Sequence, residues 1–196
     1  MSSSQSETRE RILRATWHLM EQRRGQGVRL EDVARAANVS RQAVYLHFSS
    51  RAELLIATAR YLDEQLGLRD RVQKALGANS GILLIDAYVE FWTNYLPEIY
   101  GLAKAFLTAR ETDDAAAAAW ADRMHALYQG CRYVVRNVAR EGMLAPPWTI
   151  EAAADFFWAT LALETWEHLT IERGWSQDQY RERMQWVIKR ALCRDW

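Results

Sequence analysis

Several features that support enzyme chemistry are missing from this chain of 196 residues. Cysteine occurs only at Cys131 and Cys193, a separation that matches no metal-binding or redox spacing, so free thiols in a reducing cytosol are expected. The four histidines are scattered, at His18, His47, His125 and His168. Because there is no glycine-rich phosphate loop, nucleophile motif or Glu-x-x-His pair, the sequence predicts neither an enzyme nor a bound metal or cofactor.

Long apolar runs are also missing. No stretch approaches the roughly 20 apolar residues of a membrane-spanning helix, and the polar start MSSSQSETRERI lacks the apolar core of a secretory signal. We therefore expect a cytoplasmic protein without a membrane partner. No alternating strand pattern occurs, whereas apolar residues recur at helical spacing along most of the chain, which predicts an all-α fold.

Net charge is zero, but it is unevenly distributed. Residues 1–60 carry ten arginines and six acidic residues, while residues 61–196 carry fifteen basic and nineteen acidic residues. A basic N-terminal part on an acidic body is the asymmetry expected when only that part meets phosphate, although chance could also produce it.

Two short helices joined by a tight turn are predicted between Leu30 and Phe48. Asn38 tolerates the left-handed conformation that a sharp turn needs, and Ser40 is a preferred N-cap for the second helix. The apolar residues of the first helix are Leu30, Val33, Ala34 and Ala37; those assigned to the second are Ala43, Val44, Leu46 and Phe48. The pattern is typical of a helix-turn-helix unit.

The remaining residues of the second helix are suited to nucleic acid. Arg41, Gln42, Tyr45 and His47 can donate to phosphates and reach base edges. An ordinary helical hairpin in an all-α protein is the alternative, and the spacing alone does not decide between the two.

This part of the chain resembles the TetR family of bacterial transcriptional regulators over about its first 60 residues. The residues that carry the resemblance are Thr8 and Ile12-Leu13-x-Ala15, Val33-Ala34-x-Ala36-Ala37, Val39-Ser40-Arg41, Tyr45-x-His47-Phe48 and Glu53-Leu54. Three positions depart from the family pattern: Arg29 replaces a capping Thr or Ser, Asn38 replaces Gly, and Arg51 replaces Lys.

The resemblance implies two domains and about nine helices. Residues 1–50 would form a three-helix DNA-binding domain, a helix over 51–68 would connect, and residues 51–196 would form a larger helical domain for ligand binding and dimerisation. It also implies a homodimer on double-stranded operator DNA. Arg41 and Gln42 are expected to read bases, and the complete predicted DNA-contacting set is Thr8, Arg29, Ser40, Arg41, Gln42, Ala43, Tyr45, His47 and Arg51.

Capping residues, glycines and prolines predict the remaining helix boundaries. Thr8 should cap the first helix, which Gly25 and Gly27 end. Pro97 should start a new short helix after one over residues 82–96. A long helix should end near Gly142, and two more should begin after the caps Thr149 and Ser176, the first running to about Glu172.

The second domain is rich in aromatic residues, which could line a cavity for a small apolar or aromatic effector or simply form the core. The predicted effector contacts are Tyr88, Phe91, Trp92, Tyr95, Phe106, Trp120, Met124, Tyr128, Phe157 and Glu164. Polar residues near apolar positions would need partners, and whether Glu90, Asn94, His125 or Glu164 touches a ligand is left open.

In the family, two C-terminal helices of each subunit pack against the partner. The expected interface residues are Phe157, Leu161, Thr165, Leu169, Met184, Val187, Ile188 and Ala191, with burial inside one subunit as the alternative. The expected function is a repressor that a small molecule releases from a pseudo-palindromic operator. The alternatives are a regulator controlled by a protein partner or by no ligand, and a helical enzyme or binding bundle.

Overall fold

The computed structural model describes residues 3–194, which form ten α-helices and no β-strand. The helices are α1 (Ser3–Gln22), α2 (Leu30–Ala36), α3 (Arg41–His47), α4 (Arg51–Gln65), α5 (Leu68–Ala75), α6 (Gly81–Ala109), α7 (Asp114–Arg140), α8 (Ile150–Thr160), α9 (Leu163–Trp166) and α10 (Gln177–Leu192). A π-helical segment, Glu167–Glu172, follows α9, and Leu144 and Cys193 form an isolated antiparallel bridge. The all-α prediction is confirmed.

The helices belong to two compact units. The first contains residues 1–66 and 99–123, and the second contains residues 67–98 and 124–196. Helices α6 and α7 therefore contribute residues to both units. The functional division predicted at residue 50 stays a prediction.

In the first unit, α1 packs against α2 and α4, and α2 packs against α3. Ile12, Leu13 and Met20 of α1 and Leu54 and Leu55 of α4 are almost completely buried. Met20 lies seven and eight residues, about two helical turns, after Leu13 and Ile12, and Leu54 and Leu55 are adjacent, so each set lies on one side of its helix. Burial of these sides holds the N-terminal helices together.

The first helix begins earlier than expected. Thr8 lies inside α1 rather than at its N-cap, so that predicted cap is wrong. The predicted end is confirmed: α1 ends at Gln22, and Gly25 is left-handed with φ +77°. The Gly25 N–H donates to the Met20 carbonyl at 2.8 Å, which satisfies a carbonyl that the helix leaves open.

The connecting helix is shorter than predicted. Helix α4 ends at Gln65 instead of continuing to about Leu68. Gly67, with φ +64°, interrupts the helical backbone, and the separate helix α5 begins directly after it. Glycine adopts this left-handed conformation without strain, which accounts for its position between the two helices.

The predicted break at Pro97 is wrong. Helix α6 runs through it without interruption for 29 residues. Pro97 is exposed, whereas its neighbour Leu96 and, one and a half turns later, Leu102 are buried. Burial on both sides of the proline outweighs the lost backbone hydrogen bond.

The predicted helix over 150–172 is divided in two. Helix α8 ends at Thr160, and Ala162 is extended with ψ 145° before α9 begins. The Trp92 indole N–H donates to the Leu161 carbonyl at 2.8 Å, in place of the backbone donor a continuous helix would supply. The flanking caps are confirmed, because Thr149 accepts from the Ala152 N–H and Ser176 from the Gln179 N–H.

Across residues 3–194, no helix combines the length and apolar character needed to cross a membrane.

Candidate nucleic-acid interface

Helix α2 starts without a side-chain cap. Arg29 occupies the N-cap position with an extended backbone (φ −100°, ψ 154°), and its exposed side chain makes no capping hydrogen bond. The acidic residues Glu31 and Asp32 lie in the first turn, where they complement the helix dipole. Arg23 donates to Asp32 at 2.7 Å, and this hydrogen bond lowers the pKa of the Asp32 carboxyl.

The turn between α2 and α3 has the predicted conformation. Asn38 is left-handed with φ +53°, and the Val39 N–H donates to the Ala34 carbonyl at 2.9 Å. Ala34 and Ala37 are both nearly completely buried. Their small side chains let the following helix approach α2 closely.

Helix α3 is capped and packed as expected. Ser40 Oγ accepts from the Ala43 N–H at 3.0 Å, which confirms the predicted N-cap. Val44 and Phe48 are buried, with 1 % and 2 % of their surfaces exposed. One face of this seven-residue helix is therefore fixed to the unit, and the opposite face is left to solvent.

Two predicted base-reading residues lie on α3 in different surroundings. Arg41 pairs with Glu31 at 2.8 Å and donates to the Tyr45 hydroxyl at 3.3 Å, with its guanidinium 5.6 Å from the centre of the Tyr45 ring. The Tyr45 hydrogen bond and then the Glu31 charge raise the pKa of Arg41. Gln42 is exposed and has no side-chain hydrogen bond among residues 3–194.

Three further predicted contacts are half-buried. Ala43 and His47 are half-buried, and the His47 ring is 6.4 Å from the Phe48 ring. Thr8 is half-buried in α1, where its hydroxyl accepts from Arg11 at 3.4 Å.

The start of α4 is fixed by a reciprocal capping arrangement. Ser50 Oγ accepts from the Glu53 N–H at 3.1 Å, while Glu53 Oε2 accepts from the Ser49 N–H at 2.8 Å and the Ser49 hydroxyl at 2.6 Å. The Ser49 hydroxyl and N–H lower the pKa of Glu53. Both serine residues predicted to start this helix do so.

Arg51, a predicted phosphate contact, is bound within the chain. Its Nη2 donates to Asp113 Oδ2 at 2.5 Å, and about three quarters of each side chain is covered. Asp113 Oδ1 accepts from the N–H groups of Ala115 and Ala116, so the same carboxylate caps α7. The other guanidinium nitrogen, Nη1, is buried without a hydrogen-bond partner.

The predicted place of Leu46 among the apolar residues that pack α3 is wrong, because 81 % of its surface is exposed. Helical geometry offers a signal, because Leu46 is two residues from both Val44 and Phe48, and two residues correspond to about 200° around a helix. The buried pair and Leu46 cannot share a face.

The predicted effector contacts divide between the two units. In the second unit, the Phe91 and Tyr95 rings stack at 5.6 Å, the Trp92 ring is 6.1 Å from Tyr95, and Tyr88 meets the edge of Phe157 at 6.0 Å. Burial raises the pKa of the Tyr88 hydroxyl, which donates to the Leu127 carbonyl. Met124, Tyr128 and Glu164 are half-buried in this unit, whereas Phe106 and Trp120 are buried in the first. Of the other open candidates, Glu90, Asn94 and His125 are exposed.

The predicted interface residues are of two kinds. Phe157, Leu161, Met184 and Ile188 are already buried within the second unit, as the alternative interpretation expected, and have little surface to offer a partner. The half-buried members are Thr165, Leu169, Val187 and Ala191, and Trp186 beside them on α10 is 52 % exposed.

Comparison with known proteins agrees with these features. Residues 12–58 match the family described as bacterial regulatory proteins, tetR family. The curated HTH-type transcriptional regulator CymR of Pseudomonas putida is 25 % identical over 178 residues, covering 89 % of this chain and 83 % of that protein.

Solved structures extend the likeness to the whole fold. Native NalD, the secondary repressor of the MexAB-OprM multidrug efflux pump in Pseudomonas aeruginosa, is similar with a TM-score of 0.74 and 25 % identity, covering 99 % of this chain and all of that one. A putative transcriptional regulator from Saccharomonospora viridis in complex with choline has a TM-score of 0.72 and 21 % identity, and the match covers 96 % of this chain and 98 % of that one. These relatives are transcriptional regulators rather than enzymes. The helix-turn-helix geometry and the family match together identify residues 12–58 as a DNA-binding domain of the TetR family of bacterial transcriptional regulators, and the whole chain is similar to transcriptional regulators.

Proposed function

We propose that the protein is a homodimeric repressor that a small molecule releases from a pseudo-palindromic operator. The observation that carries this proposal is helix α3, which is capped by Ser40, anchored by Val44 and Phe48, and exposed at Gln42. The α3 helices of two subunits would enter successive major grooves about 34–36 Å apart.

The exposed residues of α3 have separate roles in this proposal. Gln42 reads an adenine through its amide, which can bond N6 and N7 together. Arg41 is a weaker candidate for base readout, because Glu31 and Tyr45 already hold its guanidinium. Phosphate contacts come from Thr8, Arg29, Ser40, Tyr45 and His47, and from Arg51 only when Asp113 releases it. Ala43, on the same helix, is assigned to the sugar–phosphate edge.

The effector site is proposed in the second unit. Its cluster of Tyr88, Phe91, Trp92 and Tyr95 brings four aromatic rings together, which favours a small apolar or aromatic compound. The effector acts only if it binds one arrangement of the dimer more tightly than the other. The second copy would pack on the incompletely covered residues of α9, the π-helical segment and α10, such as Leu169, Trp186 and Val187.

The proposal is tested by selecting duplexes from a random DNA pool with the full-length protein and measuring their affinity by mobility shift. Wild type should enrich an inverted repeat. Gln42→Ala should lose discrimination at one base pair per half-site by about fivefold or more, because a bidentate contact contributes roughly 1–3 kcal/mol.

The matched control is Gln73→Ala, which removes another exposed glutamine from α5, outside the helix-turn-helix unit. It should leave both affinity and sequence choice unchanged. If wild type enriches no sequence, the protein is not a sequence-specific DNA-binding regulator.

A further inference from the structure

Leu46 is unusual among the leucines of the N-terminal domain because 81 % of its surface is in solvent. A single exposed leucine needs no explanation on most protein surfaces. This one lies on a helix whose buried face is already occupied by Val44 and Phe48, so turning Leu46 inward is not available to it. Leu46 must meet either water or whatever covers α3.

Helical geometry places Leu46 beside Gln42. Residues four apart are about 40° apart around a helix, so these two side chains are neighbours on the exposed face of α3. Tyr45 lies on the other side of Gln42 and is held by Arg41. The exposed face therefore combines one polar group that can bond base edges with one apolar group that cannot.

The apolar group selects its own target. In the major groove, the only apolar feature of a base pair is the C5 methyl of thymine. Polar base edges would lose hydrogen bonds to water against a leucine, whereas the methyl gains by leaving water. Resting on the proposed function, we propose that Leu46 reads a thymine by packing against its C5 methyl, at a base pair adjacent to the one that Gln42 reads.

The test uses the duplex that wild-type protein selects from a random pool, with each thymine replaced in turn by deoxyuridine. This replacement removes the methyl and leaves the hydrogen-bonding groups unchanged. We expect one position in each half-site at which wild type loses about fourfold in affinity, which corresponds to roughly 0.8 kcal/mol for one buried CH₂-sized group.

Leu46→Ala should bind the unmodified duplex at least fourfold more weakly and lose nothing more when that thymine becomes deoxyuridine. Leu46→Met should retain the sensitivity, because methionine keeps an apolar end. Leu83→Ala, which truncates a 53 % exposed leucine on α6, should behave as wild type. Thermal midpoints of the variants show that each one folds.

Two results would overturn the inference while leaving the proposed function standing: no thymine responds to deoxyuridine in an otherwise specific operator, or Leu46→Ala keeps the full response. If wild type selects no sequence at all, the proposed function fails and the Leu46 assignment fails with it.

Discussion

Arg51 and Asp113 form an ion pair whose two residues serve different elements. Arg51 is the first residue of α4, and Asp113 caps α7 with one oxygen while holding Arg51 with the other. A guanidinium bound in this way is not available to a phosphate. Asp113 and DNA therefore compete for Arg51 if its predicted role in binding phosphate is correct.

Asp113→Asn should strengthen binding to all DNA duplexes alike. Asparagine keeps the oxygen that caps α7 but loses the charge that holds Arg51. One additional phosphate contact per subunit should steepen the dependence of log affinity on log salt by roughly 0.9 per subunit. Mobility shifts at several salt concentrations measure both effects.

Asp122→Asn is the matched control, because it removes an aspartate that pairs with Arg60 of the same helix α4. It should leave the salt dependence unchanged. Arg51→Ala in the Asp113→Asn background should return the slope to its original value. A folded Asp113→Asn variant with unchanged affinity and slope would show that Arg51 has only a structural role.

Cys131 shows what burial does to an ionisable group. Its thiol is completely buried, and burial raises the pKa of Cys131 above its usual value. The thiol therefore has a higher pKa in the folded than in the unfolded protein. Its contribution to the free energy of unfolding is fully present below the unfolded pKa and is lost as pH rises from the unfolded towards the folded pKa.

The free energy of unfolding should consequently fall more steeply between pH 8 and pH 10 in wild type than in Cys131→Ala. Denaturant titrations in the presence of a reductant measure both curves. Alanine also removes packing, which shifts the whole curve, so only the difference in slope is informative. Parallel curves for the two proteins would contradict the expected ionisation.

At the scale of elements, four helix starts could be predicted because a capping hydrogen bond depends on local chemistry. Each predicted N-cap side chain accepts a hydrogen bond from the backbone N–H three residues later, so the partner lies within the same short stretch of sequence. These caps are Ser40, Ser50, Thr149 and Ser176. Asn38 likewise adopts the left-handed conformation that its turn requires.

The elements that were mispredicted depend on distant residues. Pro97 does not break α6, because burial of the residues around it decides the outcome. The break after Thr160 coincides with a hydrogen bond from Trp92, which is 69 residues away from Leu161. The Arg51–Asp113 pair spans 62 residues. A local sequence pattern cannot identify partners that are so distant in the chain. The exposure of Leu46, in contrast, could be predicted from its two-residue spacing from Val44 and Phe48.

Gly25 fixes how the loop after α1 lies against α6. A Cβ at this position would be 2.2 Å from the Ala105 carbonyl oxygen, and the backbone is left-handed. Gly25→Ala should destabilise the protein by about 3 kcal/mol or more, because backbone strain adds to a collision with another helix. Denaturant unfolding measures the loss.

Gly27 supplies the control within the same loop. It is also left-handed, with φ +63°, but nothing lies within 4 Å of a Cβ there. Gly27→Ala should therefore show only the conformational penalty of about 1–2 kcal/mol. Equal losses for the two variants would mean that α6 yields to the added methyl group.

At the scale of the whole molecule, the proposed control requires that two ligands influence each other through the protein. Such coupling is reciprocal: a compound that weakens operator binding by a given factor must itself bind the operator complex more weakly by the same factor. Eight of the nine tryptophans follow residue 90, and Trp92 belongs to the aromatic cluster. Quenching of tryptophan fluorescence therefore provides a direct measure of compound binding.

We expect a panel of small aromatic and apolar compounds to contain one that quenches this fluorescence and weakens operator affinity by about 5–150-fold. Saturating operator DNA should reduce affinity for that compound by the same factor. A scrambled duplex of equal length is the control, because it should leave the quenching curve unchanged. A compound that binds tightly while operator affinity stays constant would remove that compound as the effector. If every compound that binds leaves operator affinity constant, the proposed small-molecule control fails, because binding without differential affinity cannot shift the equilibrium. Regulation by a protein partner then becomes the better explanation.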